Sequence, residues 1–282
     1  MIKETKPSQP AVSEEDSPST KRSSGRRVVS ALWRVVSRLL RGALSHVPAP
    51  QFESLLRELV ADRANALEPA EALRVLFRLD KWLYEQEDRK AVEYGGGVHT
   101  KHLHTGYHDF FVRRIAPGQR VLDVGCGAGV VASEVARRCN AQVVAIDLDA
   151  ERIAEARSRH LHPNVEYVVG DATSALPPGP FDAVILSNVL EHIEQRVNFL
   201  RLIVRNARPS RILIRVPTRE RDWRVPLKQE LGMEWLLDGD HKTEYTLESF
   251  AAEMQQANLR VQHIEVRWGE IWAEVAPNRS DS

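Results

Sequence analysis

The stretch that decides the fold is RVLDVGCGAGVVASEVARR, from Arg120 to Arg138. A short apolar run that carries the acid Asp123 leads into a turn with three glycines and then into a helical pattern of apolar residues. Strand, glycine-rich turn and helix are typical of the first unit of an open parallel sheet, where ligands bind outside the carboxyl ends of the strands. The turn is therefore the first candidate for a binding site.

Apolar runs alternate with helical patterns along the rest of the chain. Such alternation predicts a Rossmann-like, doubly wound and mostly parallel sheet. The last two runs, VQHIEVRW (261–268) and EIWAEV (270–275), leave no room for a crossover helix between them, so we expect them to pair antiparallel. The predicted fold class is α/β, with seven strands of which the last is antiparallel, after an N-terminal helical extension.

The composition excludes several classes of protein. The 282 residues are 43% hydrophobic, which is ordinary for a globular chain. Lys plus Arg and Asp plus Glu both number 39, so no overall field favours nucleic acid, and no Asn-Pro-Pro-Tyr type motif is present. Two cysteines, Cys126 and Cys139, make no disulfide framework and indicate a reducing, cytoplasmic compartment.

The N-terminal part of the sequence changes character at about residue 26. Residues 1–25 are rich in Ser, Pro, Lys and Glu and are predicted to be disordered. Residues 26–47 place apolar side chains on one helical face and arginines opposite, with no acid. The arginines exclude a membrane-spanning helix. Two interpretations stay open: the helix lies on the inner face of an anionic membrane, or it packs on the protein or on a partner.

The predicted organisation has four parts and one insert. The parts are a disordered tail (1–25), a basic amphipathic helix (26–47), a helical N-terminal cap (48–112) and a Rossmann-like domain (113–282) with an insert (218–243). Within the helical cap, a leucine-rich pattern at helical spacing is expected to belong to the core; its members are Leu73, Leu76, Leu79, Trp82 and Leu83.

The glycine turn departs from a dinucleotide site. Val130 follows Gly129, against the spacing of Gly-x-Gly-x-x-Gly, and Asp123 would repel a phosphate. The turn suits a ligand with a cationic group near Asp123 and an uncharged body over Gly125, Cys126, Gly127 and Gly129. S-adenosylmethionine has an ammonium, a sulfonium and no phosphate, and is the predicted cofactor.

Positions after the next two strands agree with that ligand. Asp147 ends the second strand, where a carboxylate can accept hydrogen bonds from both ribose hydroxyls. Leu148 offers an apolar surface to an adenine ring. Asp171, in VVGDAT, can accept from the adenine amine while the Ala172 amide reaches a ring nitrogen. An acid after a strand often caps a helix instead, so the order and spacing of the three positions carry the argument.

These motifs resemble the class I S-adenosylmethionine-dependent methyltransferases. The matching stretches are VLDVGCGAG, VVAIDLD, VVGDA and FDAVILSNVLEHI, and the resemblance covers roughly Arg113 to Val275. The last stretch is similar to the branch with small-molecule and ubiquinone-pathway enzymes. The resemblance implies that Asp123 and the glycine turn bind the methionine end, that Asp147, Leu148, Asp171 and Ala172 bind adenosine, and that Asn188 lines the end of the fourth strand.

The flanking stretches carry a further resemblance. GGGVHTKHLHTGYHDFF upstream, and IRVPTRERDW, ELGMEW and HKTEYTLESF downstream, are similar to a bacterial subgroup associated with surface-polysaccharide clusters. This bears on the acceptor only.

Methyl transfer requires the protein mainly to orient an acceptor and to exclude water. If the acceptor is a hydroxyl, a histidine base is useful, and His192 in LEHI lies nearest the cofactor by topology. The same position can cap the following helix. Other candidates to contact the acceptor come from the connector before the first strand and from the insert: Lys101, His102, Tyr107, His108, Arg221, Trp223 and His241.

The connector before the first strand is rich in histidines, which are common metal ligands. His99, His102, His104 and His108 span a loop and a helix start, and no cysteine or carboxylate cluster completes a ligand set. No metal is predicted.

Two functions follow. The leading hypothesis is a methyltransferase that acts on an oxygen, or less favourably a nitrogen or carbon, of a small-molecule or saccharide-like or lipid-like acceptor. The alternative is a membrane-associated cofactor-binding or regulatory module without turnover. The predicted partners are that acceptor and, through residues 26–47, a membrane surface, but no nucleic acid.

Overall fold

The computed structural model describes residues 34–278. Its contacts divide the chain into two compact units, with the division between Ala72 and Leu73. The predicted tail and residues 26–33 of the predicted basic helix lie outside the described residues. Among residues 34–278, no helix combines the length and apolarity needed to cross a bilayer.

The described part of the first unit consists of helices joined by short links at 45–48 and 66–68. Residues 34–44 form α1, α2 runs over Ala49–Asn65, and α3 begins at Pro69. Pro48 precedes α2 and Pro50 lies in its first turn, since a proline fits the first turn of a helix but not its interior. The apolar side chains of α1, including Val35, Leu39 and Leu40, are exposed.

The second unit contains the sheet and the helices that cover it. Its strands are β1 (Arg120–Val124), β2 (Gln142–Asp147), β3 (Val165–Val169), β4 (Ala183–Ser187), β5 (Arg211–Pro217), β6 (Leu259–Arg267) and β7 (Glu270–Pro277). Its helices are the end of α3 (Pro69–Tyr94), α4 (Lys101–His104), α5 (Tyr107–Val112), α6 (Val130–Cys139), α7 (Ala150–Arg159), α8 (Arg196–Ala207), α9 (Arg224–Glu230) and α10 (Leu247–Gln256).

The seven strands lie in the order β3-β2-β1-β4-β5-β7-β6. β1 pairs in parallel with both β2 and β4, so the strand order reverses at β1. β7 is antiparallel to β5 and to β6, whereas the other pairs are parallel. The predicted fold class is confirmed. In sheets of this kind, ligands bind at the carboxyl ends of the strands where the order reverses, which here is next to the glycine turn.

Both faces of the sheet are covered, because alternate residues of each strand point to opposite faces. Leu122 and Val124 of β1 pack in one layer with residues of α8 and α10. Val121 packs in the other layer, with α5, α6 and α7. Burial on both faces explains why the strands read as continuous apolar runs in the sequence.

The apolar pattern in α3 is mostly not core, and that prediction was wrong. Leu76, Leu79, Trp82 and Leu83 are 36% to 54% exposed. Phe77 is the buried residue of this part of the helix, at 6%, with the Lys228 ammonium 5.2 Å from its ring centroid. Periodicity identifies an apolar helix face, but it does not show that another element covers that face.

Gly129 ends the turn with a left-handed backbone, at φ 79°. A Cβ at this position would lie 2.6 Å from the Tyr167 hydroxyl and 2.9 Å from the Ala156 Cβ. Gly129→Ala should therefore lose about 1–3 kcal/mol to backbone strain and more to these contacts. In a domain of this size each kcal/mol lowers the thermal midpoint by about 2–4 °C.

The matched control is Gly127→Ala. Gly127 also has a positive φ, 53°, but a Cβ there meets no atom within 4 Å. Thermal unfolding should show a clearly smaller loss for this variant. Equal losses would mean that the contacts with Tyr167 and Ala156 do not require a glycine.

Candidate functional site

The glycine turn is fixed by hydrogen bonds from β2. The amides of Gly125 and Cys126 donate to the Ile146 carbonyl, at 2.8 and 3.2 Å. Gly125 has a positive φ, and a Cβ there would lie 2.7 Å from a methyl of Val189. The turn therefore needs glycine where the backbone approaches the segment that follows β4.

Asp147 closes the same turn from the end of β2. One carboxylate oxygen accepts from the Gly127 amide at 2.8 Å and the other from the Asp149 amide at 2.9 Å. Each oxygen keeps a second lone pair, so the predicted role toward ribose hydroxyls remains open to it. Leu148, the next residue, is 77% exposed, as an apolar surface for a ligand ring requires.

Asp123 is the buried acid of the site. Its side chain is 1% exposed, and its Oδ2 atom has no hydrogen-bond partner among the described residues. Burial, and then the charge of Asp147, raise the pKa of Asp123 to about 8. A buried acceptor without a partner is costly, and a cationic ligand group would remove that cost. The structure thus fits the cofactor that the sequence predicts.

Cys126 lies where its thiol is kept protonated. Burial is the main cause that raises the pKa of its thiol, and the charges of Asp123 and Asp147 add to it. A neutral, partly buried thiol is a weak nucleophile.

Asp171 lies in the turn after β3 and closes that turn with its own carboxylate. The oxygens accept from the Thr173 amide and hydroxyl, at 2.8 and 2.7 Å, and from the Ser174 hydroxyl at 2.7 Å. These bonds, those of Thr173 first, lower its pKa. Ala172 packs partly against the core. The predicted contacts of this pair with adenine stay a prediction. No helix begins at Asp171, so its carboxylate closes a turn and does not cap a helix.

The segment after β4 brings together the strongest cluster of polar groups. A 3-10 turn, Leu190–His192, places Glu191 wholly inside the protein. Neither carboxylate oxygen has a well-formed hydrogen bond among the described residues, but the Asn188 amide and the charge of His241 partly offset its burial. Burial raises the pKa of Glu191 to about 7. Asn188, at φ 57°, precedes the turn, and its Oδ1 atom is likewise buried without a partner.

His192 and His241 meet beside Glu191. Their ring centroids are 4.8 Å apart in an edge-to-face arrangement. The Nδ1 of His192 lies 3.1 Å from a carboxylate oxygen of Asp240, and the Nδ1 of His241 lies 3.3 Å from one of Glu244. Burial opposes a charge on His241, but the bond to Glu244 and the charge of Glu191 outweigh it and raise its pKa.

The connector histidines are held apart from this cluster. The Nδ1 of His102 lies 2.6 Å from the Tyr107 hydroxyl and 3.3 Å from the Nε2 of His108. Burial lowers the pKa of both His102 and His108 to about 4, so both rings are neutral near pH 7. His99 pairs with Asp88, at 3.0 Å. Lys101 is exposed.

The buried ion pair of Arg215 and Glu270 packs against the Tyr107 ring. The Arg215 guanidinium donates to both carboxylate oxygens of Glu270, at 2.6 and 2.5 Å, and lies 3.9 Å from the centre of the Tyr107 ring. It is also 3.4 Å from the Ser187 hydroxyl at the end of β4. The pair therefore joins α5 to the ends of β4 and β5.

The insert is tied to the site by its backbone. The Lys242 amide donates to the Glu191 carbonyl at 2.6 Å. Arg221, predicted to contact the acceptor, pairs instead with the buried carboxylate of Glu244 and donates to the Trp235 carbonyl at 2.8 Å. In the structure, the contacts of the Arg221 guanidinium therefore include groups of the insert and its flank. Trp223 is exposed.

A separate cleft of about 670 Å³ lies between α5 and the edge formed by β6 and β7. Its charged groups are matched with one another, in the pairs Arg113–Asp109, Arg114–Glu274 and Arg267–Glu265. The cleft therefore offers little net charge to a ligand, and the carboxyl ends of β1, β2 and β4 remain the candidate site.

Sequence reasoning missed several residues of this site: Glu191, Arg215, Glu244 and Glu270. Glu191 had a visible signal, since it stands beside His192 directly after an apolar strand. The other three lie on separate elements, and only the fold brings them together.

Part of the sheet-containing unit matches a known protein family. Residues 121–210 match a family model described as methyltransferase domain. The chain therefore carries a methyltransferase domain over these residues. The ubiquinone biosynthesis O-methyltransferase of Xanthomonas campestris pv. campestris (strain B100) is 40% identical over 107 residues, which are 36% of this chain and 44% of that enzyme. The mitochondrial enzyme of Schizosaccharomyces pombe is 30% identical over 133 residues, 43% and 48% of the two chains. The chain spans about half the length of these curated relatives.

Solved structures share the fold of the methyltransferase domain. Mitomycin 7-O-methyltransferase MmcR is 21% identical with a TM-score of 0.52, over 70% of this chain and 60% of that one. NcsB1, an O-methyltransferase from neocarzinostatin biosynthesis solved with S-adenosyl-L-homocysteine, is 20% identical with a TM-score of 0.51, over 64% and 55%. For this domain, the predictions of a methyltransferase and of S-adenosylmethionine as its cofactor are confirmed.

The buried acid of the methyltransferase domain predicts a pH dependence of stability. The pKa of Asp123 is about 8 in the fold, against an ordinary value of 3.8. The folded, cofactor-free state therefore holds a proton that the unfolded state loses, so its stability should fall as pH rises from about 4 to about 8 and level off above. Asp123→Asn should remove that part of the slope, and denaturant unfolding at several pH values would measure it.

The control for this series is Glu166→Gln, on the exposed side of β3. Its stability should follow that of the natural protein in parallel at every pH. A slope that survives in Asp123→Asn would show that another group carries the proton.

Proposed function

We propose that the chain is an S-adenosylmethionine-dependent O-methyltransferase that acts on a small molecule. The observation that carries this proposal is the junction of two features at the carboxyl ends of β1 and β4. One is the glycine turn with its buried, unpartnered acid Asp123, and the other is the cluster of Glu191, His192 and His241. The names of the relatives and of two structural neighbours, all O-methyltransferases, support an oxygen as the acceptor atom.

The cofactor side of the proposed mechanism rests on residues of β1, β2 and the turns after them. The bound cofactor supplies an electrophilic methyl group on a sulfonium. Asp123 would hold the cationic methionine end over the turn from Gly125 to Gly129, and Asp147 and Leu148 would hold the adenosine. These residues orient the donor and keep water from it, which is the main requirement for an in-line displacement.

The acceptor side needs a group that takes the proton of a hydroxyl. The imidazoles of His192 and His241 lie at this end of the site, and Asp240 and Glu244 hold their Nδ1 atoms. A histidine is well matched to proton transfer near neutral pH. The exposed Trp223 of the insert would cover an apolar or saccharide-like acceptor.

Calorimetric titration of the full chain with S-adenosylhomocysteine tests the cofactor site. We expect micromolar binding, which corresponds to about 8 kcal/mol. Asp123→Ala and Asp147→Ala should each weaken it at least about tenfold, since each removes a charged contact or the bond that closes the turn. Glu166→Ala is the control and should bind as the natural protein does.

The titration, together with an assay of methyl transfer, separates the two functions. Binding together with transfer of a labelled methyl group to hydroxylated acceptors supports the enzyme. Binding with no transfer to any hydroxylated aromatic or saccharide would favour the regulatory module. Absence of binding would contradict both.

We also propose that α1 brings the protein to an anionic lipid surface. Its exposed Leu39 and Leu40 are flanked by Arg38 and Arg41, and no acid occurs in residues 26–47. Sedimentation with phosphatidylglycerol vesicles, but not with phosphatidylcholine vesicles, is expected. The double variant Leu39→Glu, Leu40→Glu should stay in the supernatant, whereas Leu161→Glu, at another exposed leucine, should not change binding. Equal binding by both variants would contradict a role for α1.

A further inference from the structure

The apolar side chains in the second half of α3 form one exposed surface. Leu76, Leu79, Trp82 and Leu83 are 36% to 54% exposed. Residues three or four positions apart lie on the same side of a helix, so these four side chains share one side of α3 with Val75. This surface is called the outer face of α3 below.

The opposite side of α3 is held by charged contacts with the insert. The Lys81 ammonium donates to a carboxylate oxygen of Glu234 at 2.6 Å, and Arg224 donates to Asp80 at 3.1 Å. Leu79 and Leu83 come two positions before and after Lys81, and two positions turn a helix by about 200°. The two leucines therefore lie on the far side of the helix from the contacts that hold it.

A helix usually turns its apolar side toward the protein, and α3 does the reverse apart from Phe77. Exposed apolar patches on folded proteins mark interaction sites. We propose that the outer face of α3 binds the same face of a second copy of the chain, with the two helices antiparallel and a two-fold axis close to Trp82. This dimer does not depend on the proposed function.

The apolar residues of the outer face are self-complementary. Leu76, Leu79, Leu83 and Gln86 follow one another at intervals of three, four and three residues, the spacing of helices that pair along a seam. About the two-fold axis, Leu79 packs against the partner's Leu83, and Leu76 against the partner's Gln86. The two Trp82 rings meet beside the axis. A two-fold dimer uses one surface twice, and this surface fits itself.

Charge complementarity identifies a second copy as the occupant. Arg78 and Glu85 are exposed on one edge of the outer face, one turn before and one turn after Trp82. In the antiparallel dimer, Arg78 faces the partner's Glu85, and Glu85 faces the partner's Arg78. A parallel pair would place Arg78 level with the partner's Arg78, where like charges repel.

An anionic lipid surface fits the outer face of α3 less well than it fits α1. Glu85 and Glu87 are exposed beside the outer face, whereas no acid occurs in residues 26–47. Acids at the edge of an apolar surface are repelled by anionic headgroups. In a dimer, the same acids have cations of the second copy within reach.

The size of the outer face predicts a reversible dimer. The seam from Leu76 to Gln86 spans about three helical turns. Such a seam buries less than the area of about 800 Å² per partner that is typical of stable complexes. We therefore expect a dissociation constant in the micromolar range and a thermal midpoint that rises with protein concentration.

Sedimentation velocity of the full chain over a range of concentrations tests the dimer. The natural chain should change from one to two copies as its concentration rises through the micromolar range. The double variant Leu79→Glu, Leu83→Glu should remain a monomer, since pairing would bury its carboxylates. Leu161→Glu, at a leucine that is 81% exposed elsewhere on the domain, is the control and should dimerise as the natural chain does.

Exchange of the two charges tests the antiparallel orientation. Arg78→Glu and Glu85→Arg should each weaken dimerisation at least about tenfold, because each puts like charges opposite one another. The variant that carries both substitutions should dimerise nearly as well as the natural chain. An equal mixture of the two single variants should form mixed dimers. A combined variant no stronger than the single ones overturns the antiparallel pairing.

The remaining outcomes separate the possible occupants of the outer face. A natural chain that stays monomeric at every concentration overturns the dimer, as does a dimer that persists in Leu79→Glu, Leu83→Glu. This double variant should still sediment with phosphatidylglycerol vesicles, because α1 is unchanged. Loss of vesicle binding in this variant, with a natural chain that does not dimerise, would make lipid the occupant and overturn the proposal. Circular dichroism of the dilute variant, matching that of the dilute natural chain, shows that it is folded.

Discussion

The hydrogen bond from the Gly127 amide to the Asp147 carboxylate is the contact on which the rest of the site depends. It joins the turn after β1 to the end of β2, next to the two amides that donate to the Ile146 carbonyl. These bonds fix the turn beside Asp123, which is buried and has one carboxylate oxygen without a hydrogen-bond partner among the described residues. A turn with fixed backbone geometry and a buried acid beside it favours a ligand by charge as well as by shape.

Much of the fold could be predicted because each strand of the sheet carries its own signal. Burial on both faces gives β1, β2, β4 and β5 continuous apolar runs. The short link at Gly269 predicts that β6 and β7 pair antiparallel. The cofactor half of the site was equally readable, since its residues follow consecutive strands and therefore meet at one edge. The acceptor half was not, because Glu191 and Glu244 come together only when the insert folds back, and no local pattern encodes that contact. The prediction that the leucines of α3 are core was wrong for a related reason. Their spacing indicates an apolar helix face, but it does not show whether another element packs against that face.

The insert contributes to the site in two ways. Its backbone reaches the Glu191 carbonyl through the Lys242 amide, and its Asp240 carboxylate holds the ring of His192. Glu244, directly after the insert, holds the ring of His241. Arg221 pairs with the buried Glu244, and this contact holds that carboxylate in place. Its predicted contact with the acceptor stays a prediction, beside the supporting contact that the structure gives it.

The family match ends at residue 210, before β5 and the insert. The residues predicted to hold the methyl donor lie inside the matched segment, whereas Arg215, His241, Glu244 and Glu270 lie beyond it. The two halves meet at the segment from Asn188 to His192, so this short stretch borders both sides of the proposed site. Substitutions after residue 210 can therefore reshape the acceptor side while they leave the predicted donor side unchanged.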